Sequence, residues 1–543
     1  MQTTKAPNVF FYLLLVAAPL LLYGNFLWNP LVFDDEQFFI PTKEIIQSFS
    51  PFNPRSLPLA TILWTKELLG DDLLYFRTGN LILHITNSIL IFIFLRKLFE
   101  TSLPQSIKNK KKLIWIAFFS GLIYALHPVA VYAAGYLIQR TILMTTLFGL
   151  LMLLSYLHGL TKSHRRWLIT SALFYFLAVF SKEHSVMLPG VALAMTLVIY
   201  KPSISLAKRI LIPFFLFTII ALIITLKVKG ILGATYEPFA SEMLSHIGTH
   251  QEHAYPLSIF TQTYLFFKYI FLWALPSPAW MSIDMREPLA AHVFSWPYFA
   301  GAVGFMVYAC IGLKLLLKRG HRGLLGFAML FPWILFLTEF ATIRVQEPFV
   351  LYRSYLWSIG MLAALPFLFI KLPLNKIIIT LIVVTILLIP LSWNRLDSLS
   401  HPLKLWNDAA ILAEKKPQTQ GLERIYHNRG YAYLSLDMHN EAIQDFNKAL
   451  SINPKFYFSH FSRGRAFYEL KQYENALQDF NQHITLAPNS VLGYRGRGHS
   501  LEALGHISEA QQSFQIGCAL KDKKSCEIIS TDPSDLTKGA KKH

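Results

Sequence analysis

Charge is what this sequence has little of. Asp, Glu, Lys and Arg make up 15% of its 543 residues, against 53% hydrophobic and 14% aromatic residues. That balance excludes an ordinary water-soluble multidomain chain and points to lipid as the solvent for most of it. Acidic residues are scarcer than basic ones, 32 against 50, leaving a net charge of +18. A small-residue cleavage site is lacking after the first apolar stretch, so that stretch reads as a retained helix and not a removed leader. The apolar stretches also hold few central ionisable residues, which argues against a transport path. Cysteine is limited to Cys310, Cys518 and Cys526.

What is there in quantity is long apolar runs. Val9 to Trp28, Leu73 to Phe99 and Ile377 to Trp393 are each long enough to cross a hydrocarbon core of ~30 Å. About eleven such spans are expected between residues 9 and 393. The basic excess gathers between them, in Lys108, Lys110, Lys111 and Lys112, in Lys162, Arg165 and Arg166, in Lys208 and Arg209, and in Lys314, Lys318, Arg319 and Arg322. With the N-terminus in the cytoplasm every cluster falls on the cytoplasmic side, so the positive charge reads as topology and not as nucleic-acid binding. An odd number of spans then carries the C-terminal part to the periplasm of a bacterial inner membrane.

That C-terminal part repeats. Gly430, Gly464 and Gly498 are 34 residues apart, as are Ala442, Ala476 and Ala510, and Pro454 and Pro488 close the first two units. A 34-residue period predicts tetratricopeptide repeats, helix hairpins that bury their apolar faces only by stacking. The expected fold class is therefore all-α. Residues 1–400 form a polytopic membrane bundle, residues 401–530 a repeat solenoid of about three units, and residues 531–543 a flexible basic tail. Cys518 and Cys526 lie in a compartment where a disulfide is stable. On one unbroken helix their offset of eight means ~12 Å of rise, too far for a bridge, so pairing needs a turn near Lys521 to Lys524; two free thiols are the alternative.

The non-cytoplasmic loops share an inventory of acids and bases. Asp34, Asp35 and Glu36 follow the first span between bulky apolar residues. Carboxylates so near lipid become functional candidates, as a general base or as hard-oxygen ligands for Mg or Mn; a solvated pair capping the next helix is the structural alternative. Arg140, Lys182, His184 and Arg353 are candidates for a phosphate or pyrophosphate at the membrane surface. His127, Glu183, Glu347 and Tyr352 stand beside them as support, although His127 before Pro128 also suits a helix cap. The insertion from Lys229 to Phe294 carries Tyr236, Glu237, His246, His250, Glu252 and His253 without a metal-ligand spacing. Its apolar run Ile259 to Leu275, and Ser56 to Leu69, read as surface helices bordering a cleft. In the repeats, Arg463, Arg465 and Arg497 on the first helices are candidates for acceptor or partner contact.

Read in order, LVFDDEQFFI, RTGNLILHITNSILIF, HPVAVYAAGYLIQRTILMTTLF, FSKEHSVMLPGV, EPFVLYRSYLWSIG and LWNDAAILAEKKP resemble the transmembrane and tetratricopeptide-repeat glycosyltransferases. These form a branch of the GT-C superfamily that includes the eukaryotic protein O-mannosyltransferases and bacterial relatives. Two departures are visible: Ala130, Val131, Tyr132 and Ala133 stand where an acid usually follows the HPV motif, and Trp357 where proline is common. The resemblance implies transfer of a sugar from a polyprenyl-phosphate donor to a protein hydroxyl outside the cytoplasm, with a first-loop acid near the reacting centre. The alternatives are a related enzyme modifying a glycan or lipid, its repeats holding a partner enzyme, or a non-enzymatic membrane scaffold for envelope or pilus assembly.

Overall fold

A computed structural model describes residues 6–33, 35, 50, 52–103, 109–235, 240, 244, 251–416 and 419–530. Asp34, Glu36, Tyr236, Glu237, His246, His250 and the 531–543 tail lie outside the described residues. Helix dominates, and the chain divides between His401 and Pro402 into two compact units.

In the first unit, apolar runs become helices whose starts are set by short polar side chains. Asp72 accepts the Leu74 N–H at the head of Leu73–Ser102, and Asn109 that of Lys112 before Lys110–Ala125. Ser203 does the same for Ile204–Val228. Each supplies an acceptor that the first turn of a helix otherwise lacks. Among the described residues, seven segments are long and apolar enough to cross a membrane: Val9–Phe26, Leu73–Ser102, Leu137–Lys162, Ile204–Ile231, Tyr298–Lys318, Gly320–Ala341 and Leu374–Ser398. An eighth arises if Lys110–Ala125 and Pro128–Ala134, bent by 61°, count together. Glu183–Ile199 and Ser358–Phe369 are apolar but shorter, so the described residues show seven or eight such segments and not the expected eleven or so.

The packing of these helices is uneven. Leu137–Lys162 is the innermost, with 72% of its apolar window buried, whereas only 17% of that of Ile204–Ile231 is buried. Leu211, Phe215, Leu222 and Leu226 are exposed on the latter. Apolar surface of that extent requires a non-aqueous surround or a partner. Ser56–Leu69, expected as a helix from sequence, forms one with those bounds.

In the second unit, helix pairs follow the 34-residue period: Leu422–Leu434 with His439–Ile452, Tyr457–Glu469 with Tyr473–Leu486, and Val491–Ala503 with Ile507–Ala519. The glycine period has a packing cause. A Cβ on Gly430 would lie 2.8 Å from the Phe446 ring and one on Gly498 2.5 Å from Phe514, closer than side chains approach. The hairpins close only because the first helix offers no side chain where the second inserts its ring. After Ala519 the chain turns through Lys521, at φ 70°, into a last helix, Lys523–Ser530. That turn brings the Cα atoms of Cys518 and Cys526 to 4.7 Å, and the two are joined as a disulfide. Asp522 accepts Arg495 at 3.0 Å and the Ser525 hydroxyl at 2.6 Å.

Candidate functional site

The residues singled out in the first unit separate into three environments. The first is built around Asp35, which is fully buried. Its carboxylate accepts the Ile138 N–H at 2.9 Å and the Leu137 N–H at 3.4 Å, so it caps the short Leu137–Gln139 turn that leads into the helix Arg140–Lys162. Arg77 stands beside it and donates to the backbone oxygens of Asn29 at 2.9 Å, Gly135 at 2.7 Å and Pro30. Asp35 therefore ties the first loop to a distant turn, and its oxygens face N–H groups and a guanidinium. That surround suits an anion and does not fit a divalent cation. Among the described residues no group of three His, Cys, Asp or Glu side chains converges as metal ligands.

Burial pushes the Asp35 carboxyl up to about 7 from an ordinary 3.8, against the lowering effect of its N–H partners and Arg77. The folded protein thus holds this proton more tightly than the unfolded chain does. The contribution is complete below about pH 4 and lost as pH rises towards 7. Asp35→Asn is expected to remove it: across pH 4 to 7 wild type should lose on the order of 4 kcal/mol of stability more than the variant, at ~1.4 kcal/mol per pH unit. Parallel melting curves over that range would contradict this.

The second environment holds Arg140, whose guanidinium is taken up inside the protein. Its Nε donates to Asn80 Oδ1 at 2.9 Å, Nη1 to the Thr61 carbonyl at 3.1 Å and Thr65 Oγ1 at 3.2 Å, and Nη2 to the Phe76 carbonyl at 2.8 Å. The expected phosphate ligand is thus a clamp joining three helices, and Gly79 is bare because a Cβ there would come within 2.9 Å of Nη2. His127 is likewise structural. It accepts the Val129 N–H at 3.2 Å as a helix cap, stacks on Trp273 at 4.1 Å and bonds that residue's carbonyl at 3.1 Å.

The third environment is where the remaining candidates converge. Helix Arg165–Ser181 ends in an extended Lys182 and a tight turn, Glu183–Ser185. Glu183 is paired with Arg55 through two hydrogen bonds, one of 3.1 Å. Glu339, in the turn Leu337–Ala341, is the hub: its carboxylate lies 3.3 Å from His184 Nε2, 3.3 Å from Arg353 Nη1 and 3.5 Å from Arg344 Nε. Arg353 also donates to the Glu347 carbonyl at 3.1 Å. Lys182 is buried, donates to Gln139 Oε1 at 3.3 Å and sits over the Tyr352 ring at 4.9 Å. Trp357, at the position that departs from the motif, donates its indole N–H to the Arg353 carbonyl and packs on Tyr269 and Phe336. It holds the arginine turn where a proline could make no such bond.

Electrostatics favour an anion here. Three guanidinium groups, Arg55, Arg344 and Arg353, surround the two carboxylates of Glu183 and Glu339. Burial pushes the Lys182 ammonium down to about 7, with Arg55 and Arg353 adding to the shift and Glu183 and Glu339 opposing it. Burial pushes the Glu183 carboxyl up, but the charge and hydrogen bonds of Arg55, aided by His184, hold it well below the usual carboxylate range. Burial lowers His184, against the raising effect of Glu339 and Glu183.

A cavity of about 500 Å³ adjoins the cluster. It is lined by Arg55, Glu183, His184 and Arg344 together with Ile224, Val228, Ile231, Leu232 and Leu337. Guanidinium groups beside aliphatic side chains suit an amphipathic anion. Sequence reasoning passed over Glu339 and Arg55. The first had a signal, a lone acid in the apolar run FPWILFLTEFATI; the second had none.

The three repeat arginines differ in their surroundings. Arg463 is held by Asp479 at 2.7 and 2.8 Å and by Asn447 at 2.5 Å. Arg465 is exposed in a groove of about 200 Å³ with Phe461, Tyr468, Leu492 and His499. Arg497 donates its Nε to Ser513 Oγ at 3.0 Å and lies over the Tyr494 ring.

Comparison with known proteins bears on this second unit. The tetratricopeptide-repeat family matches at residues 423–456 and again, through a second repeat description, at 459–490. No curated protein matches the chain. Similar solved structures include the first repeat domain of Spaghetti (RPAP3) bound to an HSP90 peptide, at 19% identity over 22% of this chain and 91% of that one, with a TM-score of 0.20. They also include MamA, at 18% identity over 23% and 71%, TM-score 0.21, and the Arabidopsis OM64 repeat domain, at 23% identity over 22% and 95%, TM-score 0.20. Residues 423–490 are tetratricopeptide repeats.

Proposed function

We propose that this chain is an integral-membrane glycosyltransferase that moves a sugar from a polyprenyl-phosphate donor to a protein hydroxyl on the non-cytoplasmic face. The observation that carries the reading is a cavity lined by Arg55 and Arg344 together with aliphatic side chains, with Arg353 behind it on the same Glu339 carboxylate that holds Arg344. The ordered motifs of the sequence support it, and the Cys518–Cys526 disulfide supports an oxidising compartment for the repeats. The prenyl chain lies along Ile224, Val228 and Leu337, and its phosphate meets the guanidinium groups of Arg55 and Arg344.

The reaction is a single displacement. The acceptor oxygen bonds to the anomeric carbon while the bond from that carbon to the phosphate oxygen breaks. The electron pair leaves with the polyprenyl phosphate, whose growing charge the arginines stabilise. Asp34 takes the acceptor proton, and inversion follows from one displacement. Asp35, its carboxylate already engaged by the backbone, positions the first loop and is not the base. The repeats bring the polypeptide acceptor, or a partner that carries it, to the site.

Arg353 separates charge from geometry. Arg353→Ala is expected to lower donor consumption by ~10-fold or more, because it removes a partner of the Glu339 carboxylate that also positions Arg344. Arg353→Lys should recover only part, since charge survives and the fork does not. Release of polyprenyl phosphate by purified protein in micelles measures both, and wild-type rates in both variants would remove Arg353 from the site.

A further inference from the structure

Arg429, Arg463 and Arg497 occupy one register of successive repeats, 34 residues apart and each one residue before the glycine that admits a phenylalanine. In the first two repeats the arginine fork is closed from within. Arg429 donates to Asp445 at 2.7 and 2.8 Å, and Arg463 to Asp479 at 2.8 and 2.7 Å. Both aspartates are buried, and the pairing is the bidentate match of a planar fork with a planar carboxylate. The same register in the third repeat falls on Ser513. That hydroxyl is fully buried, donates to the Glu509 carbonyl at 2.9 Å and accepts only the Nε of Arg497 at 3.0 Å. The two terminal nitrogens of Arg497 have no hydrogen-bond or ion-pair partner among the described residues. Arg497 is half-buried, and its guanidinium is held over the Tyr494 ring at 5.2 Å. A partly desolvated cation with an open edge favours any carboxylate that can reach it.

We propose that Arg497 is a docking site for a carboxylate from an acidic segment of a partner polypeptide. The external group pairs with the arginine that Asp445 and Asp479 satisfy internally in the two preceding repeats. This rests on the partner-binding role of the repeats and is independent of glycosyl transfer. Charge complementarity sets the class of partner, because the repeats themselves display a carboxylate on this fork twice.

The test uses the full chain in detergent micelles and fluorescence anisotropy with a labelled hexaglutamate peptide, hexaglutamine being the neutral control. Wild type is expected to bind hexaglutamate in preference and to lose it as salt rises. Ser513→Asp restores the internal carboxylate. It should weaken hexaglutamate binding by about tenfold, within the range for a charge-assisted hydrogen bond, while raising the unfolding temperature of the repeats. Arg497→Gln should weaken binding similarly, and Arg497→Lys, which keeps the charge and loses the fork, should fall between. Lys455→Gln removes one exposed charge from a turn and should leave affinity unchanged. Equal affinity of wild type for the two peptides overturns the proposal. So does unchanged hexaglutamate affinity in Arg497→Gln, or a loss in Lys455→Gln as large as in Arg497→Gln. Should Ser513→Asp fail to fold, the two Arg497 variants decide the matter.

Discussion

Arg140→Leu is expected to prevent the membrane unit from reaching its native packing, not merely to lower ligand affinity. The substitution leaves Asn80 Oδ1 without its donor and removes the bonds that tie the helical carbonyls of Thr61 and Phe76 to a third helix. The unsatisfied buried oxygen alone costs about 1–3 kcal/mol, a large share of a native state whose whole stability is of order 5–15 kcal/mol. Arg140→Lys should rescue little, because one ammonium cannot meet acceptors spread around a planar fork. Thermal unfolding and gel filtration in detergent read this directly. A folded Arg140→Leu with near-normal melting and impaired donor binding would return Arg140 to the ligand site.

The second large effect is expected at Glu339. Glu339→Ala leaves Arg344 and Arg353, both buried, without the carboxylate they share. Loss of one partner from such a cluster costs about 3–5 kcal/mol, because two buried guanidinium groups lose a counter-charge they share. Glu339→Gln keeps the shape and one acceptor and should fold, yet it should let Arg353 and His184 drift from their positions and lower donor turnover by ~10-fold or more. Melting temperature and turnover measured on both variants separate the structural loss from the functional one. Wild-type values of both for Glu339→Ala would show that the hub is dispensable.

These two residues also mark where the sequence was legible and where it was not. Apolar runs located the helices, Ser56–Leu69 to the residue, because an apolar pattern acts over a few neighbouring positions. The repeat period was legible because Gly430 and Phe446, and their counterparts, meet within one hairpin. The site was harder. Lys182, His184 and Arg353 do gather, but an arginine in a loop-facing motif carries no sign of where its fork ends, and that of Arg140 ends on Asn80, Thr61 and Phe76, 60 to 79 positions earlier in the chain. The surroundings of Asp35 were hidden for the same reason, since its partners at 137 and 138 lie about a hundred residues away. The disulfide depended on a three-residue turn that spacing alone left open.

The central claim is that the cavity beside Glu339 holds a polyprenyl phosphate by its arginines and its aliphatic side chains. Photo-crosslinking of purified wild-type protein with a diazirine-bearing polyprenyl phosphate, read by peptide mass spectrometry, tests it most directly. The expected result is labelling of Ile224, Val228 and Leu337 that excess unlabelled polyprenyl phosphate displaces and that Arg344→Ala reduces. Labelling confined to the exposed face around Leu211, Phe215 and Leu222, undiminished by competitor and by Arg344→Ala, would contradict it.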